Sequence, residues 1–261
     1  MRKGNFQFSI FNFQFELVAV LIYKSLPSTN TEAKKAGYRH GDAIIAREQT
    51  AGRGQRGNKW SARAGENLTF SLVWEPTFLE AKRQFLLSEA VALGLVDALA
   101  EWGIATSIKW TNDIYVGNDK ICGILIEHDL GSEGKLARTI VGIGLNINQR
   151  EFPADLPNPT SMALLRSASF DRREVLERYM ANLEAWYGRL LEGNKSAIEE
   201  RYRELMYHLD EQHIYALASG EKFRAIIRGV RPSGELRLEH EDGTIREYAF
   251  KEVEFVLPHK Q

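Results

Sequence analysis

Between Gln49 and Trp60 the chain reads Gln-Thr-Ala-Gly-Arg-Gly-Gln-Arg-Gly-Asn-Lys-Trp, with three cations set among three glycines. Glycine lets backbone N–H groups approach an anion closely, and guanidinium groups grip phosphate oxygens in pairs. Gly52, Gly54 and Gly57 spell the dinucleotide fingerprint G-x-G-x-x-G. That fingerprint requires a helix to open at the glycines. Here Trp60 to Gly65 leads toward another strand with no helical period, so a dinucleotide fold is excluded by context. What remains is an anion-cradling loop carrying Arg53, Arg56 and Lys59.

A second cluster is Lys109-Trp110-Thr111-Asn112-Asp113, followed by Lys120-Ile121-Cys122-Gly123-Ile124. If the strands on either side of the Asn118-Asp119 turn pair as a hairpin, Asp113 and Lys120 face one cleft. A lysine beside phosphates neutralises developing charge, and an aspartate can position an incoming amine or a metal. The bland alternative is a cross-strand surface ion pair of little energetic weight. The residue types alone leave both open. Gly142-Ile143-Gly144-Leu145-Asn146 puts glycines inside a strand, which marks either close approach of a ligand or another backbone, or a β-bulge, and by themselves these residues favour the bulge. Other chemistries are set aside. The six histidines are scattered without metal spacing, so no protein-held metal is expected. There is no G-x-S-x-G elbow. Cys122 sits in an apolar strand as a small hydrophobe.

Those residues need elements to hold them. Leu17–Lys24 reads as a buried strand, preceded by a mixed stretch from Phe6 to Glu16. Thr29-Asn30-Thr31-Glu32 is a capping box opening a short helix that closes near Gly37. Asp42–Glu48 is a strand running into the glycine loop, and Asn67–Trp74 alternates as a strand should. Phe85–Trp102 carries Leu86, Ala90, Leu93, Val96 and Leu99 at helical spacing. Ile108–Trp110, Ile114–Val116, Ile121–Glu127 and Thr139–Ile147 form a meander. Glu151–Pro159 is a proline-rich loop, and Arg172–Leu191 and Ser196–Tyr207 are amphipathic helices. After Asp210 come short strands with turns at Ser219-Gly220, Pro232-Ser233-Gly234 and Asp242-Gly243. This pattern is an α+β domain followed by a small all-β barrel.

Composition narrows the setting. The 261 residues carry 34 Lys+Arg against 35 Asp+Glu, so no global field draws the chain to nucleic acid or acidic membrane. One cysteine cannot form an internal disulfide, which suits a reducing cytoplasm. The uninterrupted apolar run from Leu17 to Tyr23 is too short to span a bilayer.

Taken in order, Ser28-Thr29-Asn30, Gln49 to Trp60, Lys109 to Asp113, Lys120 to Ile124, Gly142 to Asn146 and the β-rich tail resemble the biotin protein ligases. The resemblance runs over roughly residues 23 to 258. It implies a class II aminoacyl-tRNA synthetase-like catalytic domain with a mixed sheet (residues 23–209) after an extension (1–22), and a C-terminal SH3-like β-barrel (210–261). It further implies that biotin and ATP, with Mg2+, give biotinyl-5′-AMP, and that biotin then passes to a lysine of a biotin carboxyl carrier domain. Carried over residue by residue, the biotin and nucleotide contacts fall on Ser28, Thr29, Asn30, Gln49, Gly52, Arg53, Gly54, Gln55, Arg56, Trp60, Lys120, Gly123, Gly142 and Asn146. Lys120, Arg53 and Asp113 take the catalytic roles, and Phe152 is a weaker candidate for stacking on adenine.

Gln55 stands where many members carry Arg, which predicts looser retention of the adenylate. Thr111 replaces a common Pro, so the turn there must be held by other contacts. The short N-terminal stretch cannot encode a winged-helix domain, so DNA binding is not expected; a homodimer remains open. The rival readings are a lipoate or octanoate ligase of the same architecture and a non-catalytic nucleic-acid-binding module.

Overall fold

The computed structural model describes residues 19–256. Leu17 and Val18, the Phe6–Glu16 stretch and His259 lie outside them. Seven strands form the main sheet: β1 (Val20–Tyr23), β2 (Ala43–Ala46), β3 (Leu68–Trp74), β4 (Ser107–Lys109), β5 (Asp113–Val116), β6 (Asp119–Leu130) and β7 (Leu136–Leu145). Their order is β1-β2-β3-β7-β6-β5-β4. Only β1 and β2 run parallel, joined by the short helix α1 (Thr29–Ala33); every other pairing is antiparallel.

Strand alternation divides the sheet into two different faces. Phe70, Leu72, Val141, Ile143, Cys122 and Ile124 point into the large core, under α2 (Phe85–Ala100), α4 (Arg172–Leu191) and α5 (Lys195–Glu204). Helix α2 is apolar nearly all round and buried on almost every side, as a central helix must be. It meets α4 so closely that a Cβ on Gly94 would lie 2.9 Å from Leu183 Cα. The intervening positions on β3, β6 and β7 are Ser71, Gly123, Gly142 and Gly144. They face the other way, toward α1 and the glycine loop.

The C-terminal unit is a five-stranded antiparallel sheet, ordered β11 (Ile245–Tyr248), β10 (Leu236–His240), β9 (Lys222–Val230), β8 (Gln212–Leu217), β12 (Val253–Phe255). Tyr215, Ile227, Leu236 and Leu238 fill its SH3-like core. It docks on the main sheet through Trp110, whose Nε1 donates to Gly234 O at 2.9 Å and whose ring meets Phe250 at 6.1 Å.

Several expectations are corrected. Ser28, not Thr29, is the N-cap of α1, and it makes no side-chain cap bond. The Thr29 and Asn30 side chains are engaged in the site instead, so the capping-box string does other work. Helix α1 ends at Ala33, while Gly37 makes a left-handed turn (φ 98°) further on. Residues 195–204 form α5 and the chain leaves the helix before Tyr207. A short α3 (Met162–Arg166), capped by Ser161, follows the proline-rich loop unforeseen. Both faces of β3 are buried, because α1 covers the side that its Thr and Ser suggested was wet.

Candidate active site

On the open face of the sheet a cavity of about 350 Å³ is lined from three directions. Ser28, Thr29 and Asn30 come from the start of α1, Gln49 to Trp60 from the glycine loop, and Gly123, Gly142 and Gly144 from the sheet floor. Lys109, Asp113 and Lys120 close one end beside Phe250 and Phe255 of the C-terminal sheet. On the far side of the loop lies a more open hollow of about 970 Å³, where Gly52, Ser88, Asn112 and Glu127 contribute.

The α1 end is a tight polar network. Gln49 Oε1 accepts from Thr29 N at 2.7 Å and from Thr29 Oγ1 at 3.2 Å. Ser71 Oγ approaches Thr29 Oγ1 at 2.8 Å and donates to Asn30 Oδ1 at 2.6 Å. Asn30 Nδ2 donates to Leu125 O and to Glu127 Oε2. Gly142 is required here: a Cβ on it would collide with Asn30 Oδ1. The close-approach reading of the strand glycines is the one the structure supports, although what approaches is a side chain of this chain.

Gly144 and Gly123 play the same part for Trp60. A Cβ on Gly144 would run into the indole, and one on Gly123 would sit 3.0 Å from Trp60 Cζ3. The indole lies on this glycine floor with Lys120 Nζ 6.0 Å from its ring centre. Its Nε1 is buried with no hydrogen-bond partner among the described residues, an unmet donor beside the cavity.

The glycine loop folds back on itself through Gly54 N to Asn58 O (2.7 Å) and Trp60 N to Gly52 O (3.0 Å), with a single 3-10 turn at Gln55–Gly57. Two side chains pin it. Arg53 forms an ion pair with Glu127, and Gln55 Nε2 donates to Asn112 Oδ1 at 2.8 Å and Thr111 Oγ1 at 3.0 Å. The Thr111 hydroxyl also lies 3.1 Å from Asn112 Oδ1, and its carbonyl accepts from Tyr202 OH at 2.5 Å, which holds the turn.

Lys120 and Asp113 meet across the β5–β6 hairpin with Nζ 2.6 Å from Oδ2, both side chains about 30% exposed. The Lys120 backbone is fixed by Asn158 O and Thr160 N. Lys109 reaches the same end, its ammonium 4.8 Å from the Phe255 ring centre and 5.3 Å from that of Tyr115. Burial there lowers its pKa against the opposing pull of Asp113. Lys59, Lys109, Lys120, Lys251 and Arg53 outnumber Asp113 and Glu254 along the cavity lining, a field suited to phosphate or carboxylate oxygens.

Not every expected residue lines the cavity. Asn146 is buried outside its lining, donating to Thr160 O at 3.0 Å while its Oδ1 lacks a partner among the described residues. Phe152 lies in the proline-rich loop outside both hollows. Cys122 is fully buried and burial pushes its thiol pKa up, so it is inert. Two residues escaped the sequence reading. Glu127 gathers donors from α1 and the loop, and Lys109 was named only as part of a string. A polar residue at an otherwise apolar strand position was the available signal for Glu127.

The fold, a mixed sheet with a C-terminal antiparallel SH3-like sheet, matches that of solved biotin protein ligases. That from Aquifex aeolicus in complex with biotin and ATP superposes with a TM-score of 0.76 at 29% identity, over 90% of this chain and 97% of that one. The bifunctional ligase/repressor BirA of Bacillus subtilis is 30% identical over 250 residues, 87% of this chain and 70% of that protein. The biotin–[acetyl-CoA-carboxylase] ligase of Paracoccus denitrificans is 41% identical over 128 residues, 46% of this chain and 51% of that protein. Residues 22–146 match the model of the biotin/lipoate A/B protein ligase family. The chain belongs to that family.

Proposed function

We infer that this protein is a biotin protein ligase. It adenylates biotin with ATP and passes the biotinyl group to a lysine of a biotin carboxyl carrier domain. The observation that carries the reading is the Lys120–Asp113 pair, 2.6 Å apart in a cavity walled by the glycine loop. In the first step a biotin carboxylate oxygen attacks the α-phosphorus of ATP and the bond to the β-phosphate oxygen breaks, releasing pyrophosphate. Negative charge accumulates where Lys120 and Lys109 can meet it. In the second step the neutral amine of the acceptor lysine attacks the acyl carbon, AMP leaves, and the amine proton is lost to a base. Asp113 is placed to orient that amine.

Magnesium is a hard ion that keeps waters and binds through substrate phosphates with one or two carboxylates. Asp113 and Glu254, which both line the cavity, fit that donor set. The bound ion would supply positive charge to the phosphates. Residues 23–209 form the catalytic unit in this reading and 210–261 the C-terminal unit, of which Phe250 and Phe255 complete the cavity wall. Among the described residues no helix is long and apolar enough to cross a membrane; we place the enzyme in the cytoplasm.

The test is exchange of labelled pyrophosphate into ATP, with wild type and Lys120→Ala. Exchange that needs biotin and collapses in the variant is expected. Exchange with lipoate or octanoate but not biotin would move the protein to the other branch of its family. Absence of exchange with any acid would overturn the enzymatic reading.

A further inference from the structure

Beyond the cavity, the run His208-Leu-Asp-Glu-Gln-His213 leaves α5 and enters β8. His208 and Asp210 both adopt left-handed backbone (φ 60° and 58°), and the chain doubles back so that residues 208 and 213 come together. His208 Nδ1 and His213 Nε2 each lie 3.0 Å from the same oxygen, Glu211 Oε2. The two imidazoles stack with centroids 3.5 Å apart. Counted as scattered in the sequence, these histidines are neighbours in the fold.

We propose that His208, Glu211 and His213 form a binding site for one divalent transition-metal ion at the junction of the catalytic unit and the C-terminal sheet. Ligand atoms around a four-coordinate ion at 2.0–2.1 Å lie about 3.3 Å apart. The 3.0 Å separations here are close to that, and all three atoms lie within 4.8 Å of one another. An ion seated among the three atoms would replace the shared hydrogen bonds to Glu211. Two imidazole nitrogens and one carboxylate select Zn2+ and its neighbours over Mg2+ or Ca2+, which prefer oxygen. Glu211 is 64% and His213 34% exposed at the side chain, leaving an open side for water as a further ligand.

The surroundings bear on affinity. Asp210 is not a further ligand, because Arg203 (3.0 Å) and Arg228 (2.7 Å) occupy it. Lys109 is near enough for its charge to act on His208, which opposes a cation and limits the strength of the site. The consequence of binding is mechanical. His213 sits on β8, which pairs with β12, and His208 follows Tyr207, whose ring meets both Tyr115 and Phe255. An ion across them would clamp the wall that Phe255 gives to the cavity, apart from the Mg2+ of the reaction.

The test uses the full chain without a histidine tag, stripped with chelator and titrated with Co2+ by absorption spectroscopy, then with Zn2+ in competition. The expected result is one equivalent of Co2+ with bands of a four- or five-coordinate ion, displaced by Zn2+. Affinity should fall by at least about tenfold in His213→Ala and in Glu211→Gln. Zn2+ should also raise the thermal midpoint of the wild type and not of the variants. Glu211→Gln keeps the side-chain shape, so a folding failure of His213→Ala does not leave the question open. Undiminished binding in Glu211→Gln, or no retained Co2+ in the wild type, overturns the proposal.

Discussion

Arg53 of the glycine loop and Glu127 of β6 form a two-pronged ion pair, with Nη2 2.9 Å from Oε1 and Nη1 3.2 Å from Oε2. The same carboxylate takes Lys34 Nζ at 2.7 Å and Asn30 Nδ2 at 3.0 Å. Burial works to raise the Glu127 pKa, but the hydrogen bonds from Lys34, Asn30 and Arg53 prevail and hold it below the ordinary value. Arg53 is thus committed to holding the loop down, whereas its sequence context suggested a hand free for phosphate. Glu127→Ala removes the anchor of three donors at once. Because the pair is partly exposed, global stability should change by no more than about 1 kcal/mol. Biotin affinity, measured by calorimetry, should fall by about tenfold or more, with faster hydrogen exchange across residues 49–60. Unchanged affinity and exchange would show the pair to be incidental.

The roles proposed for Asp113 and Lys120 can be separated by half-reaction. Asp113→Asn keeps the shape and removes the charge, so adenylation should persist at a reduced rate. Transfer of preformed biotinyl-AMP to an acceptor lysine should drop by about 10² to 10⁴, the range for loss of a positioned proton-transfer group. Lys120→Ala should instead fail in the adenylation half. Equal losses in both halves for Asp113→Asn would mean that it acts only by holding Lys120.

The glycine floor gives a steric prediction. In Gly142→Ala the new methyl meets Asn30 Oδ1, and in Gly144→Ala it meets the Trp60 indole. Overpacking of this kind costs about 1–3 kcal/mol. The displaced groups line the cavity, so ligand binding should suffer more than the fold. Far-ultraviolet circular dichroism should be unchanged while biotin binding weakens by at least about tenfold. Wild-type affinity in Gly142→Ala would mean that Asn30 yields freely.

Gln55 and Thr111, the two departures from the family's usual strings, contact each other at 3.0 Å. An amide there pins the loop to the turn without adding positive charge near a phosphate. Gln55→Arg is expected to slow release of biotinyl-AMP from the enzyme. Single-turnover trapping of the free adenylate measures this directly, and an unchanged half-life in the variant would refute it.

Much of this was legible in the sequence because local chemistry decided it. Phe85 to Ala100 is helical as its period requires, and the three C-terminal hairpin turns fall at their Gly-containing strings with left-handed Gly220, Gly234 and Gly243. Lys120 and Asp113 meet because a hairpin turn sits between them. The failures share one cause, which is long-range packing. Thr29 to Glu32 has the spacing of a capping box, yet Ser71 and Gln49, distant in sequence, recruit Thr29 and Asn30. Glu127 shows in the sequence only as a charge at the end of an apolar run, and its partners are set when the fold brings Arg53 to it. His208 and His213 look unrelated until a left-handed turn pairs them.

Acid and alkali should stress different places in the fold. Glu89 in α2 is only 6% exposed, and burial, aided by the like charge of Glu199, raises its pKa from 4.5 to about 8. Its Oε2 has no hydrogen-bond partner among the described residues. The folded state therefore keeps a proton that the unfolded chain releases near 4.5. This group's contribution to stability is full below that pH and is lost as pH rises toward 8, by about 3 kcal/mol at neutrality. Glu89→Gln, which does not titrate, should be more stable than wild type by about 4 kcal/mol at pH 8 and by no more than about 1 kcal/mol at pH 5. His128 acts in the opposite sense. Its pKa is lowered to about 4 by burial, so its contribution is present above 6.5 and lost as pH falls toward 4. Urea titrations of wild type and Glu89→Gln from pH 5 to 9 separate the two effects. Parallel curves across that range would mean that the Glu89 carboxyl titrates normally, by admitting water.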